Sequence, residues 1–257
     1  MNYIRRIEVF NDTLKKIGTD GIPSSPEGRI YKEEIINQRK KENHFTVKVK
    51  NMDCLRCAQE EKKKYNRVTV LNMADRYVPG GAVLSGSGAQ EEYLCRCTNY
   101  YPGLFSLQSE YPLDCNFGAV YTRVVTVFKG TQEENYSLLE KNQRFQIDII
   151  AVPAINSPHL ERGLYTKKEE QQTKNKIQTI LNVAVENETE CLIAGAFGCG
   201  VFHNPPLGIA KLFKEVFEEV GGTGNLKEIL FAIKEDSSSP VGGNYIPFLK
   251  TLNGLTF

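Results

Sequence analysis

Short runs of branched apolar residues recur from Val68 onward, each bounded by Gly, Pro or Asn: Val68–Met73, Val120–Phe128, Ile147–Val152, Cys191–Ala194 and Ile229–Ile233. Runs this short, apolar on both alternating faces, predict strands covered on both sides of a sheet. Two helices are expected between the later runs. Residues 167–187 carry an i, i+3, i+4 stripe of Ile177, Ile180, Leu181, Ala184 and Val185, and Pro205-Pro206 opens Leu207–Val220 before Gly221-Gly222 closes it. Alternating strands and helices predict an α/β fold: a three-layer α/β/α arrangement around a mixed central sheet.

The pattern changes character before residue 66. Ile4–Lys16 and Ile30–Lys41 have helix-like spacing with charged faces, separated by Gly21-Ile22-Pro23-Ser24-Ser25-Pro26, and Phe45–Val49 alternates like an edge strand. Residues 1–66 are therefore expected to form a mainly helical layer packed on a core of residues 67–257, in one compact unit. A chain of 257 residues is long enough for such a core. Lys+Arg 32 against Asp+Glu 31 leaves a net charge of +1, so no overall field favours bulk nucleic acid or an anionic membrane, and an anionic ligand must be gripped locally. Without a secretory h-region or an apolar stretch of about 18 residues, a cytoplasmic protein is expected.

Seven cysteines in a chain of this kind read as free thiols rather than disulfides. Cys54 and Cys57 form a C-x2-C without a second pair to close a zinc site, and Cys95 and Cys97 would face different ways on a helix. No metal is expected.

In open α/β sheets ligands bind beyond the carboxyl ends of the strands. Three segments following strands stand out there. Val68–Leu71 leads through Asn72-Met73-Ala74-Asp75 to Pro79-Gly80-Gly81-Ala82, then Gly86-Ser87-Gly88 and Ala89-Gln90-Glu91-Glu92. Ile147–Val152 leads to Pro153-Ala154-Ile155-Asn156, and Cys191–Ala194 leads to Gly195-Ala196-Phe197-Gly198-Cys199-Gly200-Val201-Phe202-His203-Asn204. Glycines between a strand and a helix let backbone N–H groups approach a phosphate, and two such loops can clamp a diphosphate. Neither loop has the dinucleotide spacing G-x-G-x-x-G, and a P-loop GKS or GKT is absent. Ser87 and Gln90 fit an S-x-x-Q capping box, so Gln90-Glu91-Glu92 is expected to begin a helix. Carboxylates there either complement the helix dipole or do acid–base work, and the second role requires burial or a nearby negative charge to raise the pKa.

Taken in order, V-L-N-M-A, P-G-G-A, A-Q-E-E-Y-L-C-R-C-T-N-Y-Y, V-P-A-I-N and G-A-F-G-C-G-V-F-H-N-P-P resemble the bacterial-type poly(ADP-ribose) glycohydrolases, a branch of the macrodomain fold. The resemblance runs from Val68 to the F-A-I-K-E-D and N-Y-I-P-F segments and loosely into the N-terminal helices. It implies a macrodomain-like core in which Glu92 is the general acid and Glu91 holds ribose hydroxyls. Asn72 would contact the terminal ribose, and Phe202 would restrict its orientation. Gly80, Gly81, Ala82, Gln90, Gly198, Cys199, Gly200 and Val201 would line the substrate, mostly through backbone donors around the diphosphate. The implied ligand is ADP-ribose or poly(ADP-ribose) on modified proteins, cleaved without a cofactor by a monomer that has no membrane or direct nucleic-acid partner. The family's third glycine is replaced here by Ala82, which leaves single ADP-ribose removal, from arginine for example, as an alternative.

A non-catalytic ADP-ribose reader and a hydrolase using Cys199 are further alternatives. The latter lacks a sequence sign of activation from His44, His159 or His203. Tyr100 and Tyr101 read as core or rim aromatics, and Glu60-Glu61-Lys62-Lys63-Lys64 as a solvated face.

Overall fold

A computed structural model describes residues 1–36, 43–221, 224–235, 239 and 241–257. In chain order the elements are α1 (Tyr3–Lys16), β1 (Gly28–Tyr31), β2 (Thr46–Lys50), α2 (Cys54–Glu61), β3 (Val68–Met73), α3 (Gln90–Cys97), α4 (Tyr101–Phe105), β4 (Ala119–Val127), β5 (Phe145–Val152), β6 (Leu160–Glu161), β7 (Leu164–Tyr165), α5 (Lys167–Glu186), β8 (Cys191–Ala194), α6 (Pro206–Val220), β9 (Glu228–Ala232) and α7 (Tyr245–Leu252). Seven strands form one mixed sheet in the order β1-β4-β5-β3-β8-β9-β2, while β6 and β7 pair separately. β4 runs antiparallel to β1 and β5; the β5-β3-β8-β9-β2 side is parallel.

Alternation along the strands feeds two cores, one on each face of the sheet. Leu71, Ile150, Leu192, Ile229 and Phe231 pack with α5, α6 and α7, whereas Val70, Ile149, Ile193 and Leu230 pack with α1, α2, α3 and α4. Three layers result, α/β/α, as the strand-and-helix pattern implied. The five apolar runs fall on β3, β4, β5, β8 and β9, and the two predicted helices on α5 and α6.

Residues before 66 differ from their reading in two ways. The helix-like spacing at Ile30–Lys41 does not form a helix over its described part. Gly28–Tyr31 instead pairs antiparallel with β4, with Arg29 exposed and Tyr31 buried, so a half-covered edge strand occupies this stretch; residues 37–41 lie outside the described residues. β1 and β2 are the two edges of the central sheet. In the run Glu60–Lys64, Glu61 is fully buried rather than solvated, because Lys64 (2.8 Å) and Lys50 (3.3 Å) reach it there.

The two halves of the sheet separate at β3. The chain goes from β3 through β4 to β5 on one side, and β8 leads to β9 on the other. A crevice at the carboxyl ends is expected at such a switch point. β3 stays paired with β5 as far as Met73, but its pairing with β8 stops at Val70.

Candidate active site

The gap where β3 leaves β8 is filled by one side chain. Gln90 donates through Nε2 to Leu71 O (2.8 Å) and accepts the Met73 N–H at Oε1 (3.0 Å), continuing the ladder of β3 with a side-chain amide. This replaces the anticipated capping box. The N-cap of α3 is Ala89, and Ser87 Oγ meets only the Ala89 N–H, at 3.5 Å. With its amide spent on β3, Gln90 fixes the start of α3 against the sheet. Glu91 and Glu92 follow within the first turn, 3% and 5% exposed.

Glu91 ties the first loop together. Its Oε1 accepts from Asn72 Nδ2 (3.2 Å) and the Gly80 N–H (3.2 Å), and its Oε2 from the Asp75 N–H (2.7 Å). A carboxylate offers about four lone-pair sites, so one acceptor position remains. Burial pushes Glu91 up to about 8, against the opposing pull of the Asp75 and Asn72 donors. Glu92 behaves differently. Its Oε1 accepts the Ala82 N–H (2.9 Å), while Oε2 is buried and meets no protein donor. The Asn72 Oδ1 is likewise buried and unpaired.

Two glycines permit this arrangement. Gly81 lies at φ +58°, and a Cβ there would come within 2.5 Å of Glu92 Oε1 and 3.0 Å of Glu91 Oε2. Gly80 lies at φ +79° with the Tyr101 ring 2.6 Å from where its Cβ would be. Ala82, directly after the glycine pair, is at φ −95°, outside the left-handed region that favours glycine. Behind the loop, Tyr100 is fully buried with its hydroxyl 3.4 Å from Asn72 Nδ2. Arg96, 1% exposed, donates to Ser87 O (2.7 Å) and to the Tyr136 hydroxyl (3.1 Å).

The second loop is built on an amide. Asn204, 2% exposed, donates through Nδ2 to Ile155 O (2.7 Å), Gly198 O (3.0 Å) and Phe202 O (3.3 Å), and accepts from the Tyr165 hydroxyl (2.8 Å). Gly198 lies at φ +72°, and a Cβ there would strike Asn204 Nδ2 at 2.5 Å. Gly200 and Val201 are exposed and Phe202 is half-buried. Cys199 is buried and donates to Phe197 O (3.6 Å); burial raises its thiol well above the usual range. A thiol kept protonated in this way is inert as a nucleophile.

A cavity of about 560 Å³ lies at the carboxyl ends of the strands, a size suited to a nucleotide-like ligand. Gln90, Gly198, Gly200, Val201 and Phe202 line it, together with Met73, Ala154, Ala196 and Ala232 that follow or end β3, β5, β8 and β9. Asp53, Cys54, Tyr93, Ile233 and Lys234 also line it. Asn72, Gly80, Gly81, Ala82, Glu91 and Glu92 form the hydrogen-bonded group beside Gln90, and Cys199 is set behind the second loop. Sequence reasoning assigned no role to Asn204, Arg96 or Arg6, although Asn204 stands directly before Pro205-Pro206 in the quoted motif.

One group elsewhere has metal-ligating side chains. Glu61, Cys191 and Glu228, all buried, bring one ligand atom each within 4.8 Å of one another. Lys50 and Lys64 hold Glu61, and Lys48 holds Glu228, so the carboxylates already have cationic partners.

The microbial-type PARG catalytic domain family model matches residues 15–130, which contain the first loop and its carboxylates. Over that stretch, a little under half of the chain, the sequence is similar to microbial-type PARG catalytic domains. Similar solved structures extend the likeness over the rest of the chain. Poly(ADP-ribose) glycohydrolase from Deinococcus radiodurans in complex with ADP-ribose is 26% identical, covering 88% of this chain and 94% of that one with a TM-score of 0.72. The enzyme from Thermomonospora curvata bound to the inhibitor ADP-HPD is 21% identical, covering 97% of this chain and 99% of that one with a TM-score of 0.75. No curated protein matches the chain by sequence.

Proposed function

We propose that the protein hydrolyses ADP-ribosyl glycosidic bonds, with poly(ADP-ribose) as substrate and Glu92 as general acid. One observation carries this reading: Glu92 is held at Oε1 by the Ala82 N–H, while its other oxygen is buried without a protein partner. Breaking a ribosyl bond passes through an oxocarbenium-like state and needs a proton for the departing oxygen. Glu92 Oε2 supplies it. The resulting carboxylate then faces the cationic ribose and can take a proton from the attacking water, so a single residue acts first as acid and then as base.

Neighbouring groups suit the ribose. Glu91 has one position left for a ribose hydroxyl, donating to it when protonated and accepting when ionised, and Asn72 presents a free buried carbonyl that can accept one. At the tip of the second loop no described protein acceptor takes the N–H groups of Gly200, Val201 or Phe202, which suits them to a diphosphate. The half-buried ring of Phe202 would restrict the terminal ribose. Ala82 sits without backbone strain, which favours the polymer over a redirected, single-unit substrate.

Among the described residues no helix is long and apolar enough to cross a membrane. The cavity is complete within one chain, and the reading carries with it a monomeric, cytoplasmic enzyme that needs no metal or cofactor. The test compares wild type with Glu92→Gln on poly(ADP-ribose) and on a protein bearing arginine-linked ADP-ribose, following release of free ADP-ribose. Polymer turnover that falls by about 10²–10⁴-fold in the variant is the expected result. Turnover of the arginine conjugate alone would make it a mono-ADP-ribosyl hydrolase. ADP-ribose binding without cleavage of either would make it a reader.

A further inference from the structure

Of the four charged residues that line the cavity, three have partners. Asp53 accepts from the Leu55 N–H (2.9 Å), the Arg56 N–H (3.1 Å) and the Tyr93 hydroxyl (2.9 Å), and Lys234 is paired with Glu133. The remaining charged residue of the lining is Arg6, on α1. Its side chain has no hydrogen bond or ion pair among the described residues, and its Nε is buried without a partner. The guanidinium lies on the backbone of Gly88, where a Cβ would stand 2.6 Å from Cζ and Nη2 and 2.7 Å from Nη1. This is the last turn of chain before Ala89 caps α3.

A guanidinium taken partly out of water without a counter-ion is costly unless an anion arrives to meet it. The helix that carries Arg6 is held in place. Thr13 Oγ1 donates to Arg96 O (2.6 Å), Lys129 pairs with Asp12 (2.8 Å) and donates to Val9 O (3.1 Å), and Phe10 packs edge-on against Tyr101 at 4.9 Å. α1 thus presents a fixed cation to the same cavity that the second loop lines. The planar fork of arginine matches two oxygens of a phosphate group.

We infer that Arg6 is a phosphate-binding residue, an N-terminal cation that grips a diphosphate of the ADP-ribosyl chain in the cavity that the second loop also lines. This rests on the functional reading above. Two sources of that phosphate are chemically alike: the unit seated in the cavity, and the next unit of a polymer.

Calorimetry on the Glu92→Gln protein, with and without Arg6→Ala, separates them by using ADP-ribose and an ADP-ribose dimer as probes. If Arg6 meets the seated unit, Arg6→Ala raises Kd by roughly tenfold or more for both probes. If it meets the next unit, only the dimer weakens. Arg6→Lys should recover part of the loss, since charge returns without the fork, and the parent's affinity should fall more steeply with salt than the alanine variant's. A purely structural role for Arg6 would lower the thermal midpoint and leave the salt dependence unchanged, which overturns the assignment. Equal affinity of parent and Arg6→Ala for both probes also overturns it. A parent that binds neither probe instead removes the functional reading, and this assignment falls with it.

Discussion

The two glycine-bearing loops look alike in sequence, yet the chain braces them in opposite ways. In the loop between β3 and α3, the backbone donors are already spent: Gly80 N–H on Glu91, Ala82 N–H on Glu92, and Gly81 N–H on Val78 O (3.0 Å). In the loop between β8 and α6 the brace is Asn204, which works mostly on carbonyls and leaves the donors at the tip free. The difference divides the labour. Carboxylates that organise a loop can also handle protons, whereas a neutral amide leaves N–H groups for an anion. The first loop is therefore suited to chemistry and the second to holding charge.

Gly81→Ala tests this division most severely. The new methyl would face Glu92 Oε1 at 2.5 Å in a backbone conformation that alanine rarely adopts, so the carboxylate or the loop must move. Polymer turnover should fall by about 10²-fold or more, because misplacing a catalytic group by an ångström has that scale of effect. Stability should drop by about 1–3 kcal/mol. Full activity in steady-state assays would show that the loop does not set the position of Glu92.

Asn204→Ala strikes the other brace. It removes the Nδ2 amide that reaches three carbonyls and leaves the Tyr165 hydroxyl unpaired, for an expected loss of about 2–3 kcal/mol by denaturant unfolding. A loop that only holds charge predicts a rise in KM larger than the fall in kcat. The reverse pattern would place the second loop in the chemical step.

Much of this site was legible in the sequence, and what was not has a physical reason. β3 and β8 were readable because they are buried on both faces, whereas the start of α3 was read from a Ser87–Gln90 capping box that does not form. β1 was misread because an edge strand with one exposed face lacks that continuous apolar run, and Tyr31 with Ile35 fits a helical i, i+4 spacing equally well. Gln90 was expected to turn back on its own helix. It turns to β3 because the β3–β8 ladder stops at Val70, a fact of tertiary register that no local pattern carries. Asn204 and Arg96 escaped for the same reason, since Asn204 reaches Ile155 and Arg96 reaches Tyr136 across long stretches of chain. Glu61 was taken as solvated because lysines follow it, yet one of them, Lys64, reaches back to the buried carboxylate from the surface, with Lys50 from β2.

Proton linkage gives a third contrast, since only the first brace titrates. Glu91 is raised from 4.5 to about 8 by burial, so between those values the folded protein holds a proton that the unfolded chain has released. Raising pH through this window therefore favours unfolding, by up to roughly 1.4 kcal/mol per pH unit from this group. Unfolding free energies measured in steps from pH 5 to pH 8 should decline in wild type and decline less in Glu91→Gln. Parallel profiles would mean that Glu91 is ionised in the folded state and that its donors outweigh its burial.

The smallest effect is expected at Gly200, the counterpart of Gly81. No atom lies within 4 Å of a Cβ placed there, and the backbone is not left-handed, so Gly200→Ala should change unfolding free energy by no more than about 0.5 kcal/mol. Any effect must then come from a ligand. If the tip of the loop grips the diphosphate through its N–H groups, the methyl intrudes on that approach and Kd for ADP-ribose rises severalfold while stability holds. Gly81→Ala, by contrast, should lower stability and turnover together. Calorimetric titration beside denaturant unfolding separates these outcomes. A Gly200→Ala protein that binds ADP-ribose as tightly as wild type would move the phosphate away from the tip and leave Arg6 and the end of α3 to hold it. A variant that unfolds as readily as Gly81→Ala would erase the contrast between a braced loop and an open one.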